Sequence, residues 1–165
     1  MLSTNNLKYL SEKQEQLDKY IIENKNFKEL EVFDKKIVAL YVEVCEFINE
    51  ERSFKFWSNK KASERNVLLE EYIDGIHFLI SLGNNIKFDY ESYKFEDDNC
   101  EITQNYLNCL SAIAIFEKTR DSKSFTNLAN SFFSIASTLS FGEEEIIDAY
   151  NIKNKTNFER QDNNY

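Results

Sequence analysis

Two pairs of carboxylates carry the clearest chemistry in this sequence. Glu43 and Glu46 stand three residues apart in YVEVCEFINE, and Glu71 and Asp74 stand three apart in LLEEYIDGIHF. Residues at that spacing share a helix face. If both stretches are helical, four acidic groups can converge from two helices. Such a set suits divalent cations, and divalent cations suit phosphate chemistry. The chain has one histidine, His77. A zinc site built on several histidines is thereby excluded, and a Ser-His-Asp triad is disfavoured. A di-iron bundle needs a Glu-x-x-His from each of two helices, which one histidine cannot supply. Oxygen-only ligands point instead to Mg2+ or Mn2+. The E-x-x-E and E-x-x-D patterns alone arise often by chance in helical proteins, so the elements that hold them matter.

Both elements are unusually apolar. In the helix expected over 33–51, Ile37, Leu40, Tyr41, Val44, Phe47 and Ile48 form one stripe. Val38, Ala39, Val42 and Cys45 cover much of the remainder, which predicts a helix lying inside the fold. The helix expected over 63–83 has a main face of Leu68, Leu69, Tyr72, Ile73, Ile76, Leu79 and Ile80. Val67, Phe78 and Leu82 form a second face, which Glu71 and Asp74 share. Ser63 is the expected cap of this helix and Gly83 its expected end. Gly75 predicts the close approach of another backbone. A carboxylate among apolar groups is costly unless it is paired or binds metal.

The other elements follow in order. A first helix is expected over 5–24 on the stripe Leu7, Leu10, Leu17 and Ile21, with Thr4 or Ser11 capping or interrupting it. Gln14 and Asp18 share one side of it, and composition favours an exposed polar face there. Residues 25–32 read as a link. Between the acidic helices, RSFKFWSNKKAS mixes Arg52, Lys55, Lys60 and Lys61 with Phe54, Phe56 and Trp57. Such a loop can hold phosphates and stack on a base, or pack its aromatics on the core and solvate its lysines. Residues 84–100 read as a polar loop, followed by apolar helices at 101–118 and 122–140. These suggest a bundle and a dimer interface. A last helix starts near Gly142, with Glu143, Glu144 and Glu145 favouring its dipole, and ends near 155. Lys153, Lys155 and Arg160 can neutralise outer phosphates or belong to a solvated tail, 156–165, expected to be mobile without ligand.

The bulk numbers agree with a helical globular domain. The 165 residues include no proline and three glycines, too few turn residues for a β-rich fold. The net charge of −9 argues against a nucleic-acid-binding surface. Three cysteines without a C-x-x-C predict reduced thiols. MLSTNNLKYL lacks the order of a signal peptide, and no apolar run approaches the roughly 18 residues of a membrane span. A cytoplasmic protein without a membrane partner is expected.

The order of features is more specific than any one of them. E-x-x-E at Glu43–Glu46, FKFWSNKK at 54–61 and LLEEYIDGIHFLISLG at 68–83 resemble the all-α, dimeric dUTP diphosphatases, relatives of the MazG-like nucleoside triphosphate pyrophosphohydrolases. Gln14-x-x-Leu17-Asp18-x-x-Ile21 and the C-terminal YNIKNKTNFERQDNNY are similar to that family's signatures at both ends. Where the family often has His before Arg-Gln and Gly before the final Tyr, this chain has Phe158–Glu159 and Asn164. The resemblance implies an all-α bundle of five to six helices in one domain, 1–165, with the metal site between two core helices. It implies Mg2+-dependent hydrolysis of dUTP to dUMP and pyrophosphate by a metal-activated water, limiting uracil in DNA. Two or three ions are implied, with Mn2+ as substitute and dUDP as a possible further substrate. Glu43, Glu46, Glu71 and Asp74 are then the metal ligands, with Glu43 the base. Gln14 reads the uracil edge, Trp57 packs on the nucleoside, and His77 lies near the sugar or base. Lys153, Asn157, Arg160 and Tyr165 close on the phosphates. A homodimer is implied, with the 84–100 loop and the two apolar helices serving dimer and lid. A broader MazG-like (d)NTP pyrophosphohydrolase and a non-catalytic helical interaction protein are the alternatives.

Overall fold

The computed structural model describes residues 1–163. It is all-α, and no strand occurs among the described residues. Six helices follow in order: α1 Thr4–Lys25, α2 Glu29–Glu51, α3 Arg65–Asn85, α4 Ile102–Thr119, α5 Ser122–Thr138 and α6 Glu143–Asp162. With no proline to break them, the helices end on backbone geometry. Asn26, Arg52 and Arg120 take positive φ values of 55°, 71° and 53° and close α1, α2 and α4. Starts are capped by side chains. The Ser3 hydroxyl accepts from Asn6 N, Asp121 accepts from Ser124 N at 2.8 Å, and Glu145 reaches back to Gly142 N at 3.1 Å.

Several boundaries differ from the sequence reading. Residues 29–32 belong to α2, not to a link. Ser63 does not cap α3; its hydroxyl donates to Glu50, and Glu64 takes the cap position. Gly83 does not end α3 but sits inside it. A Cβ there would fall on the Tyr90 hydroxyl and lie 2.6 Å from Phe125 Cζ. The last helix continues to Asp162 rather than stopping near 155. No glycine or proline interrupts residues 156–162, and that stretch has something to pack on. The Phe158 ring lies 5.2 Å from that of Tyr20 on α1, and the Tyr20 hydroxyl donates to Asp162.

α3 is the central element, packed on α1, α2 and α6. Its Ile73, Ile76, Leu79 and Leu82 are fully buried. Each such side chain removed from water contributes about 1.5–3 kcal/mol. α4 and α5 form a hairpin, and α5 lays Phe132 on Tyr72 of α3 with ring centroids 4.7 Å apart. Phe132 also explains Gly75. An added Cβ would meet the ring at 2.9 Å, so a side chain, not a second backbone, makes the close approach. The segment between α3 and α4 is an aromatic cover. Tyr90 donates to the Ile80 carbonyl at 3.2 Å, Tyr93 donates to Asn130 at 2.7 Å, and Phe88 lies 4.6 Å from Phe125.

α2 is not embedded all round. Leu40, Val44 and Phe47 are buried, but Val38 is 61% exposed and Val42 45% exposed. α5 is more deeply embedded than α2, and its apolar side chains are all buried. No helix among the described residues is long and apolar enough to cross a membrane.

Candidate active site

α2 and α3 meet at both ends. Lys36 donates to Asn85 at 3.0 Å, and Ser63 N donates to the Glu50 carbonyl at 3.0 Å. The two helices therefore run antiparallel, and their register brings the middle of one against the middle of the other. Carboxylate oxygens of Glu43, Glu46 and Glu71 come within 4.8 Å of one another there, the one such cluster among the described residues. Glu43 and Glu71 are half-buried; Glu46 is exposed, against the expectation that both pairs sit in apolar surroundings.

The electrostatics of this trio show a site short of positive charge. Burial, then the charges of Asp74, Glu46 and Glu71, push the Glu43 carboxyl up to about 7. Burial, then Asp74 and Glu46, raise Glu71 in the same direction. Clustered carboxylates resist ionisation together unless a cation joins them. An all-oxygen trio of this size fits a hard divalent cation.

Asp74 stands beside the trio but outside it. Its Oδ2 is 2.7 Å from the ammonium of Lys153 on α6. Burial raises Asp74, while the hydrogen bond and charge of Lys153 and the charge of Arg160 pull it down. The same ammonium bonds Glu70 Oε1 at 3.0 Å. Burial works against the Lys153 charge, yet its bonds to Asp74 and Glu70 outweigh this and hold it above the ordinary lysine value. Lys153 is thus a buried counter-ion and not a solvated tail residue.

A second polar centre lies where α1, α3 and α6 meet. Gln14 is only 4% exposed, which overturns the exposed polar face expected for α1. Its Nε2 donates to Asp18 Oδ1 at 2.6 Å, and its Oε1 accepts from the Tyr150 hydroxyl at 2.9 Å and faces His77 Nδ1 at 2.7 Å. Asp18 also receives the Lys36 ammonium at 2.9 Å and the Ser81 hydroxyl. The Tyr150 ring stacks on His77, centroids 4.3 Å apart. Burial, with the charge of Lys153, pushes His77 down to about 3, so the imidazole is neutral at ordinary pH. His77 Nε2 has no hydrogen-bond partner among the described residues.

The remaining expected residues are less gathered. Trp57 is 65% exposed and packs edge-on with Phe54 and Phe56 at 5.9 and 5.0 Å. Arg52 and Lys55 are engaged within their own segment, Arg52 with the Lys60 carbonyl and Ser58, Lys55 with Asn49. Asn157 is half-buried one turn beyond Lys153, and Arg160 lies on the same helix. Tyr165 lies outside the described residues. The sequence reading missed Lys36, Glu70 and Tyr150 as partners of site residues. Asp18 was visible as a spacing of four from Gln14 and as part of the N-terminal signature, and Tyr150 as the first residue of the C-terminal one, but neither was given a partner.

A helical bundle that presents convergent carboxylates beside a buried lysine suits the chemistry of a nucleotide hydrolase. The family described as dUTPase matches residues 6–165, essentially the whole chain, and the protein belongs to that all-α dUTPase family. It is therefore a hydrolase acting on dUTP. The non-catalytic reading falls with that membership. Enzymes of this family generally use divalent metal ions. No curated protein sequence matches the chain.

Proposed function

We propose that the chain hydrolyses dUTP to dUMP and pyrophosphate with Mg2+ held by Glu43, Glu46 and Glu71, joined by Asp74. The observation that carries this is the convergence of three carboxylates within 4.8 Å, one of them raised to about 7 by burial and by its acidic neighbours. Bound Mg2+ supplies Lewis-acid polarisation of phosphate oxygens and a lowered pKa for water. Glu43 accepts the proton of the attacking water; burial and the charges of Asp74, Glu46 and Glu71 raise its affinity for one. Asp74 is occupied by Lys153 until the substrate's phosphates draw the ammonium away. Lys153, Asn157 and Arg160 then face the phosphates from α6, with Tyr165 beyond them. Residues 156–165 act as the phosphate-closing segment of one domain, 1–165. Gln14 and His77 face the base, and Trp57 packs on the nucleoside from its exposed position. Mn2+ shares the oxygen preference and substitutes for Mg2+. The enzyme works as a homodimer; the exposed Val38 and Val42 of α2 and Leu107 and Ile115 of α4 are surfaces for a second copy.

A broader (d)NTP pyrophosphohydrolase is the second reading. One observation favours it: the Gln14 acceptor is already taken by Tyr150 and His77, so Gln14 offers a base no free acceptor and at most one amide N–H. Pyrophosphate release from dUTP, dCTP, dTTP and UTP, with Mg2+ and with EDTA, separates the two. Mg2+-dependent release confined to dUTP is the expected result. Equal rates on all four nucleotides favour the second reading, and full activity in EDTA rules out the metal site.

A further inference from the structure

A cavity of about 440 Å³ lies where the segment between α3 and α4 crosses the α4–α5 hairpin, and it shares no residue with the carboxylate trio. Glu96, Asp97 and Asp98 supply one wall, and no lysine or arginine lines it. The backbone of that wall is pinned to α5. Glu96 N donates to Asn130 Oδ1 at 3.3 Å, and Asp98 N donates to Ser134 Oγ at 2.9 Å. Burial pushes the Asp97 carboxyl up, but Ser137, Asn99 N and Ser134 donate to it and hold it below the ordinary aspartate value. Negative charge is thus kept at the cavity by hydrogen bonds, without a counter-ion among the lining residues. Ser131 on α5 faces the same space. It is 7% exposed, and its hydroxyl meets no hydrogen-bond partner among the described residues. Thr119, Thr126 and Thr138 on the same two helices each donate to the carbonyl four residues back, the usual outlet for such a hydroxyl. Ser131 does not, and its oxygen is left to the cavity.

We propose that this cavity binds a linear aliphatic amine carrying two or more ammonium groups, at a site separate from that of dUTP. Among the described residues, the only three carboxylates that gather within 4.8 Å of one another are Glu43, Glu46 and Glu71. Glu96, Asp97 and Asp98 stand further apart, so they cannot close as a set of three on one metal ion. Carboxylates spread along a wall instead meet separate positive charges. The space is also far larger than an ion requires, since one water needs only about 10–15 Å³. An ammonium group has three donors and no acceptor, and the carboxylates and the Ser131 oxygen can all accept from it. Ala112 and Ile115 of α4 add apolar lining, on which the methylene chain between two ammonium groups can lie.

The test uses 15N-labelled full-length protein in saturating Mg2+ and about 0.15 M NaCl, which screens diffuse attraction to a chain of net charge −9. Ile115 also belongs to the α4 surface offered to a second copy, so the titrations are made on the protein in its own oligomeric state. Putrescine and spermidine are added and followed by 1H–15N correlation spectra. The amides of residues 96–98, Ala112 and Ser131 should shift and saturate, with spermidine the tighter ligand. Asp97→Asn with Asp98→Asn removes two charges from the wall and should weaken spermidine roughly 10-fold. Glu12→Gln with Glu15→Gln removes two exposed charges from α1 and should leave its affinity unchanged. An equal loss in both double variants would reduce the effect to net charge and overturn the site. So would amides at the cavity that stay still, or shifts confined to the surroundings of Glu43 and Glu71. Equal shifts at the cavity with CaCl2 alone, at matched ionic strength, would give the site to a metal ion and overturn the amine. If the wall variant does not fold, the wild-type shift map and the CaCl2 comparison still decide.

Discussion

Glu43 and Lys153 show how two charges at the site oppose each other. Burial and its acidic neighbours make the folded-state carboxyl of Glu43 bind a proton more tightly than the unfolded one does, at about 7 against 4.5. The folded state therefore holds an extra proton between those values, and stability falls as pH rises through that window. Thermal unfolding in EDTA should show a lower Tm at pH 8 than at pH 5.5. After allowing for solvent screening, the Glu43 contribution is of order 1 kcal/mol. Glu43→Gln should flatten this dependence and raise Tm at pH 8, while turnover of dUTP falls about 10²–10⁴-fold. A Tm that is independent of pH in the wild type would contradict the charge cluster. Lys153 has the opposite task, since it neutralises Asp74. Lys153→Met leaves that half-buried carboxylate without its ammonium, a loss of about 1–3 kcal/mol. Urea unfolding should register the loss in EDTA and its partial recovery in saturating Mg2+.

At the scale of the helices, α3 and α6 were the two whose local signals misled. Gly83 has the composition of a helix end, yet it lies within α3 because the Tyr90 hydroxyl and the Phe125 ring need the space a side chain would fill. Gly83→Ala should destabilise the protein by about 1–3 kcal/mol through overpacking, measured by chemical denaturation. A gain in stability, the usual effect of Gly→Ala in a helix, would show that the cover can move away. The C-terminal stretch reads as a polar tail, but Phe158 finds Tyr20 and the helix runs on to Asp162. Truncation after Lys155 should consequently lower helical circular dichroism as well as impair dUTP turnover. Impaired turnover with unchanged ellipticity would mean that residues 156–162 are not helical in solution.

The whole molecule has two kinds of surface. Glu43, Glu46 and Glu71 gather acidic charge in one place, while α2 and α4 leave Val38, Val42, Leu107 and Ile115 exposed. If those helices receive a second copy, Val42→Glu should shift the light-scattering mass toward that of a monomer of 19.6 kDa. A mass unaltered by that change would put the contact elsewhere.

The all-α class was legible in the chain because apolar periodicity and the lack of proline are local properties. So were the acidic pairs, because a spacing of three is enough to place two side chains on one helix face. Their convergence needed the antiparallel register of α2 on α3, tied at Lys36–Asn85 and at Ser63–Glu50. Local signals cannot report a partner that lies far along the chain. Gln14 and Asp18 look like solvated polar residues until His77, Ser81 and Tyr150 arrive from 63 to 136 positions away. Asp74 looks like a fourth ligand until Lys153 reaches it. The sequence by itself determined which chemical groups are present and on which helix faces they lie. Tertiary packing decided which carboxylates converge, which one meets an ammonium, and which nitrogen of the only histidine faces Gln14. Those are matters of a few ångströms and of burial, and burial is what turns a polar side chain into a committed donor or acceptor.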